Sequence, residues 1–482
     1  MSLRRGTLFL VLAWAAVLIT GYALTLVLTR TLDQKTYGDY GLVMSVLLWL
    51  EIIVINGIPY AVQKFTASHR EAALSIFKSG LFVQTAAAVA LYGLAFALAP
   101  LLSNVFQDNK LTLYFRIAFL NVFVYGFLHL LASFQNGLGR FGRQAFLLTL
   151  FAFGKMGFVI LFVALGRSLV WAFWGNAAGA MLGIAAGILW TPRPWKEPVY
   201  DPKPLIRFAA PSVLYSLAVT LILTVDLWFV NRGLGKEASA VYVASSQIAR
   251  IPYFLVFGLS AAVLPTAASA IAAKNLRKVR NTIEQAFRFL LMLSLPTAIL
   301  ATLYRREVVS LLFPSQYAPG SDVLGILIWG MTFLALLVVM TTVINADGRP
   351  GLSFLITSAV VVLDMVLNAW LVPRFGIRGA AAATTAAVGA GAACAFLEVK
   401  RRFRFSPKWK SVLRIALAAL VPAVFGLWVP ATGLRLVLVA VGAAVLYGLV
   451  LAATREIRKD ELMDLFRPGR NASAGPEETM VP

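Results

Sequence analysis

Charge is scarce in this sequence. Only 13% of its 482 residues are Asp, Glu, Lys or Arg, against about 25% in a soluble globular chain. The shortage leaves no room for a sizeable soluble domain. Cysteine is almost absent, and a lone Cys394 excludes an intramolecular disulfide. With two histidines, His69 and His129, beside that cysteine, no metal centre of the usual ligand type is expected. There is no G-x-x-x-x-G-K-[ST] phosphate loop, since GLGKE at Gly233 lacks the spacing, and direct ATP hydrolysis is not expected. No catalytic group and no cofactor is assigned.

What fills the chain is apolar: 60% of the residues are hydrophobic. Runs of roughly twenty mostly apolar residues, each able to cross a ~30 Å hydrocarbon core, recur throughout. They fall at 6–28, 41–62, 73–102, 112–133, 145–165, 168–190, 208–230, 241–270, 287–303, 322–344, 352–372, 377–398, 412–429 and 433–453. The expected fold is an all-α membrane protein of about fourteen spans. The first run follows a basic start like a signal peptide, but it lacks a convincing small-residue cleavage site and is read as a retained helix. A Pro-rich linker, 191–207, divides a first lobe (1–190) from a second (208–398). Residues 399–453 hold a basic loop and the last helix pair. The polar tail 454–482 is expected to be cytoplasmic and partly disordered beyond Arg467. The sequon at Asn471 lies in that tail and carries no weight.

The net charge of +22 would suit nucleic acid, but it sits in loops between spans. It reads as topology signal and contact with anionic lipid, with no nucleic-acid partner. Of the 43 Lys and Arg residues, 29 fall in the loops that share a side with the termini and 12 in the alternate loops. The positive-inside rule therefore places both termini in the cytoplasm. An even number of spans agrees.

The two halves carry an internal repeat. RTLDQKTYGDY from Arg30 and RGLGKEASAVY from Arg232 share Arg, Leu and Tyr at an offset of 202. NGLGRFG from Asn136 and NADGRPG from Asn345 are both N-x-x-G-R-x-G, at an offset of 209. Both offsets cross an even number of spans, so the six-helix halves run parallel, related about an axis along the membrane normal. Secondary transporters built this way hold substrate between the halves and rock to alternate access.

Ionisable groups inside spans cost about 2.5–3.5 kcal/mol each on the insertion scale and need a reason. Lys155 and Arg250 each lie about ten residues into a span, ~15 Å deep at 1.5 Å per residue. Glu51 and Asp364 are similarly deep, and Asp226 lies in the outer part of span seven. Gln84, Asn121, Asn176, Gln247 and Asn368 add neutral polar groups. One reading is a water-filled cavity between the halves, its cations meeting an anionic substrate: Lys155 and Arg250 with Arg116 and Gln247. Glu51, Asp226 and Asp364 would couple ions. The other reading is internal pairing, such as Glu51 with Lys155, and for Arg116 snorkelling at a helix end. Gly175, Gly179, Gly183 and Gly187 recur every four residues, a smooth face for close packing. Pro59, Pro252, Pro265 and Pro296 interrupt spans as candidate kinks. External loops are about six to eighteen residues long. That is too short for an external catalytic domain, and Asp33 and Asp39 make no D-x-D pair.

Asn368-Ala-Trp-Leu-Val-Pro373-Arg-Phe-Gly376-Ile-Arg-Gly379-Ala380-Ala381-Ala-Ala-Thr384 resembles the N-x-x-L-x-P-x-[FY]-G-x-x-G-A-A-x-A-T segment of bacterial polysaccharide flippases. Asp226, Leu234-Gly235, Tyr242 and Ala244 are similar to that family's span-seven segment. Leu264-Pro265 before a basic loop is similar to its span-eight ending, and Asn345–Gly351 to its G-R/G-K turn. The resemblance covers roughly residues 5–400 and is to the multidrug/oligosaccharidyl-lipid/polysaccharide (MOP) exporter superfamily. It implies a flippase of the bacterial inner membrane, not an enzyme. Such a protein moves polyprenyl-pyrophosphate-linked oligosaccharide from the inner to the outer leaflet for cell-surface polysaccharide synthesis. Membrane lipids are further implied partners, and polysaccharide polymerase or ligase machinery are candidate ones. A cation-coupled multidrug antiporter and a lipid II flippase are the alternatives within the superfamily. The first span lacks the cluster of deep arginines of the lipid II branch. A non-transporting scaffold of a polysaccharide assembly complex is the alternative outside it.

Overall fold

A computed structural model describes residues 3–166, 168–429, 433, 435–454 and 456. The expected tail beyond Glu456, with its sequon, lies outside these described residues. In the first half, α1 (Leu3–Thr31), α2 (Gln34–Asn56), α3 (Ile58–Ser68) and α4 (Ala73–Val105) are followed by α5 (Leu111–Phe119), α6 (Asn121–Gly137), α7 (Phe141–Gly166) and α8 (Leu169–Trp190). The second half holds α9 (Pro202–Ile222), α10 (Val225–Ala249), α11 (Ile251–Ala272), α12 (Leu276–Leu303), α13 (Arg305–Leu312), α14 (Gly320–Ala346) and α15 (Pro350–Phe403). A last pair, α16 (Trp409–Trp428) and α17 (Arg435–Ala453), completes the chain. In lipid, a helix is one of the two structures that satisfy the backbone internally. Every long regular element among the described residues is one.

The helix ends follow local chemistry. Asp33 caps α2 by accepting from the Thr36 N–H at 3.0 Å. Asp201 caps α9 through the Lys203 N–H at 3.0 Å, so that helix begins at Pro202, not at 208. Two of the four prolines start helices. Pro59 opens α3 after a break at Gly57, and Pro252 opens α11 after a break at Arg250. In a first turn the missing N–H costs nothing. Pro296 remains inside α12.

Eleven helical stretches are long and apolar enough to cross a membrane, and two of them, Pro202–Leu255 and Pro350–Phe403, run for 54 residues. Each of these two folds back on itself at a glycine of positive φ, Gly235 (85°) and Gly376 (61°). Side-chain contacts prove the reversal. Asp226 and Tyr242 would stand about 24 Å apart on a continuous helix, yet they share a hydrogen bond of 2.5 Å. Asp364 and Thr384 would be about 30 Å apart and are bonded at 3.0 Å. With both hairpins counted twice and α16 added, the chain crosses about fourteen times.

The repeat is visible in the turns. Leu138 N–H bonds to Phe134, Gly139 to Asn136 and Arg140 to Gln135; Asp347 bonds to Val343, Gly348 to Asn345 and Arg349 to Ile344. The two sets match bond for bond at the offset of 209. Gly139 and Gly348 take φ of 75° and 78°, the left-handed conformation that closes a helix C-terminus most cheaply in glycine.

The glycine series on α8 packs as expected. A Cβ on Gly175 would stand 2.6 Å from the Val159 backbone, and one on Gly179 would stand 2.3 Å from the Lys155 nitrogen. The absence of side chains lets α8 lie directly on α7. In the second half α14 is central and mostly buried, while α4 of the first half mostly faces outward. The final pair attaches to α12 through Met292, Ile415, Ala418, Ala419, Tyr447 and Leu451, with the Tyr447 hydroxyl donating to the Met292 carbonyl at 3.0 Å.

Candidate functional site

Lys155 stands on α7, half-buried, with its ammonium 5.8 Å from the Tyr125 ring and 5.9 Å from the Phe151 ring. Glu51, buried on α2, lies within electrostatic reach of Lys155 and Tyr125. No ion pair within 4.0 Å joins Glu51 to Lys155 among the described residues. The Glu51 Oε1, Tyr125 hydroxyl and Asn176 Oδ1 are buried with no hydrogen-bond partner. Orphaned buried oxygens in one half-bundle are the mark of a place for water or a ligand.

Arg250 occupies the break between α10 and α11. One Nη donates to the Leu223 carbonyl at the end of α9, at 2.5 Å, while its Nε is buried without a partner. Tyr22, Tyr37 and Asp226 lie within reach of its charge. Gln247, half-buried, precedes it by one helical turn on the same face. Arg116 lies apart, at the end of α5, its guanidinium 4.3 Å from the Phe96 ring. Lys155 and Arg250 sit in opposite halves, and no contact joins them among the described residues.

The two aspartates meet each other. Thr384, buried in the second arm of α15, donates to Asp364 at 3.0 Å and lies 3.4 Å from Asp226. Asp226 also accepts from the Tyr242 hydroxyl at 2.5 Å and from the Leu227 N–H at 2.8 Å. Asn368 donates to Asp364 at 2.8 Å. Asp364 Oδ2 and Asn368 Oδ1 keep no partner although both residues are fully buried. Neither Tyr242 nor Thr384 stands out in the sequence as a site residue. Thr384 is one hydroxyl in an alanine-rich arm, and its partners lie 20 and 158 positions away.

The halves are closed against each other on the side of the α1–α2 turn. Lys236, just past the Gly235 reversal, bonds Asp39 of α2 at 2.8 Å and also Asp108 of the α4–α5 loop. Lys35 pairs with Glu237 at 3.4 Å, and Arg30 donates to the Leu312 carbonyl at 3.0 Å. Gly38 makes the approach possible, because a Cβ there would overlap the Lys236 carbonyl. Burial is the largest single influence on Asp108 and acts to raise its pKa, but the Lys236 hydrogen bond, the Lys110 N–H and the charges of both lysines together outweigh it, and the net shift is downward. Deeper in the same seam the Trp49 indole donates to Thr224 at 2.9 Å and the Trp228 indole to Ser45 at 3.0 Å. Toward the other side Asn56 reaches Ser216 at 3.0 Å, and the Lys64 ammonium lies 4.0 Å from the Phe208 ring.

The profile of a family described as polysaccharide biosynthesis protein matches residues 27–322. The chain belongs to the polysaccharide biosynthesis protein family. The match runs through Glu51, Lys155, Asp226, Lys236 and Arg250 and ends before Asp364 and Thr384. Among curated relatives of this family member, a probable multidrug resistance protein NorM of Bradyrhizobium diazoefficiens is 30% identical over 37% of this chain and 40% of its own length. A probable low-salt glycan biosynthesis flippase of Haloferax volcanii is 22% identical over 53% of this chain and 54% of its own. The chain thus spans about two fifths to one half of these relatives. Among solved structures, the lipid II flippase MurJ in an inward closed conformation superposes with a TM-score of 0.77 at 15% identity, covering 93% of this chain and 99% of that one. That likeness gives the family member the fold of the MOP exporters.

Proposed function

We propose that this chain is a flippase that carries polyprenyl-pyrophosphate-linked oligosaccharide from the inner to the outer leaflet by alternating access. The observation that carries this reading is a pair of half-buried cations, Lys155 and Arg250, one in each half of a family member. Neither is held by a carboxylate within 4.0 Å among the described residues. A pyrophosphate is the counter-charge that suits two such groups, because it binds each by charge-assisted hydrogen bonds. Gln247 would contact the same anion, and Arg116, which stands apart over the Phe96 ring, would meet the sugars beyond it. The basic loops support an inner-membrane protein with cytoplasmic termini, so the Lys236 seam closes the outer face. The Asp226–Thr384–Asp364 cluster, with Asn368, would take the coupling ion: the orphaned Asp364 Oδ2 can take a proton, and with the orphaned Asn368 Oδ1 it offers two hard donors to a small monovalent cation. Glu51, within electrostatic reach of Lys155, would balance part of its charge at a distance until substrate arrives. Polysaccharide polymerase or ligase machinery is the expected recipient of the product.

The test is movement of a labelled polyprenyl-pyrophosphate sugar across proteoliposomes, wild type against Lys155→Gln/Arg250→Gln. Collapse of flipping in the double variant is expected; unchanged flipping would refute the cationic site. A second reading, a cation-coupled drug antiporter, draws on the multidrug resistance relative and the buried acids Glu51 and Asp226. Resistance to cationic dyes on overexpression separates the two.

A further inference from the structure

A second cationic site lies away from the seam between the halves. A cavity of about 560 Å³ opens between the start of α12, the loop before α16 and the first turns of α16. Its lining carries four cations, Arg288, Lys408, Lys410 and Arg414, against two acids, Glu284 and Glu456. The acids are already engaged. Glu284 pairs with Lys408 at 2.6 Å, and Glu456 takes Arg414 at 3.7 Å and the Ser411 hydroxyl. Among the described residues no acid is left to neutralise Lys410, which is exposed at the rim.

The remaining lining changes character with depth. Phe287, Leu291 and Ile415 make its apolar wall. From there the outer faces of α12 and α16 continue as exposed leucines: Leu293, Leu413, Leu417 and Leu420 are between 43% and 59% exposed. Such a stripe on a spanning helix faces acyl chains. Trp409, 68% exposed, marks the mouth, and a tryptophan at that height sits at the headgroup level of a membrane. A soluble anion would use only the cationic end. A molecule with a negative head and an apolar tail would use both.

We propose that this cavity binds the phosphodiester headgroup of an anionic membrane lipid, with its acyl chains along the α12–α16 leucines. Arg414 and Lys410 hold the phosphate, and the bound lipid fills the seam by which the last helix pair attaches to α12. The site is independent of the flippase reading, since none of its residues belongs to the seam between the halves.

The experiment is native mass spectrometry of the full chain, delipidated in detergent and titrated with phosphatidylglycerol or phosphatidylcholine, for wild type and Lys410→Gln/Arg414→Gln. Each cation removed near a membrane surface weakens anionic lipid binding about fivefold. The double variant is therefore expected to bind phosphatidylglycerol at least about tenfold more weakly, losing one tightly held lipid. Phosphatidylcholine should be retained weakly by both. Equal retention of the two lipids, or the same phosphatidylglycerol affinity in the double variant, overturns the proposal. Full displacement by inorganic phosphate at equal concentration also overturns it, in favour of a free-anion site. Lys410→Gln alone, at an exposed helix start, supplies the test with an expected loss of about fivefold if the double variant does not fold.

Discussion

Thr384 is one hydroxyl with two carboxylates to serve. It stands 3.0 Å from Asp364 and 3.4 Å from Asp226, so it can give its proton to only one of them at a time. The Tyr242 hydroxyl satisfies Asp226, which leaves Asp364 as the acid with an unfilled oxygen. The two substitutions should therefore act differently. Asp364→Asn removes the charge that a coupling ion would balance, and gradient-driven flipping in proteoliposomes is expected to fall at least about tenfold, a loss equivalent to one charged hydrogen bond of about 1.5–3 kcal/mol. Thr384→Val keeps both charges and removes only the donor. It should raise the ion concentration needed for half-maximal flipping while leaving the maximal rate close to wild type. Equal loss of maximal rate in both variants would show the cluster to be structural. The acids themselves were legible in the sequence, because a carboxylate in an apolar run is conspicuous. Their meeting was not, because it depends on two hairpins bringing residues 138 positions apart to one hydroxyl.

At the scale of the helix, α8 shows how a feature read as packing bears on chemistry. Its glycines remove the side chains that would hold it off α7, and the closest approach is at Lys155 itself. Gly179→Val would push a branched side chain into the Lys155 backbone. Overpacking of this kind costs about 1–3 kcal/mol, so the thermal unfolding midpoint in detergent should drop. Flipping should fall with it although Lys155 is intact, because the ammonium is displaced from Tyr125 and Phe151. A variant with an unchanged midpoint would mean the helices separate freely there. Most spans could be read from the sequence because twenty apolar residues between basic loops admit few other structures. Two span breaks were also marked, since the helices break at Gly57 and Arg250, two residues before Pro59 and Pro252. The break at Leu120 was not, because it falls inside an apolar run without proline, where hydropathy is blind. The linker could not be read to its end either, since Asp201 caps a helix that starts within it.

At the scale of the whole molecule, alternating access requires the seam at Lys236 to open, and its strength sets how the protein divides its time. Lys236 holds acids from two separate elements of the first half, α2 and the α4–α5 loop, so losing it releases both at once. Removing the charge should weaken closure by about 1–2 kcal/mol, a five- to thirtyfold shift toward the open outer face. Spin labels at Thr31 and Leu234, in a chain whose single Cys394 is replaced by Ser, should then report a longer distance in Lys236→Gln than in the parent. The pH dependence has a definite sign. Asp108 has its pKa lowered in the closed form, burial opposing and the bonds and charges of Lys236 and Lys110 together prevailing. Its contribution to closure is therefore complete above the ordinary carboxylate range of about 4 and is lost only as the pH falls through the depressed value. The part of the label distance that Asp108 controls, read as the difference between the parent and Asp108→Asn at the same pH, should stay constant from neutral pH down to that range and vanish below it. A distance in Asp108→Asn equal to that of the parent at neutral pH would leave Asp39 as the only acid that matters to Lys236.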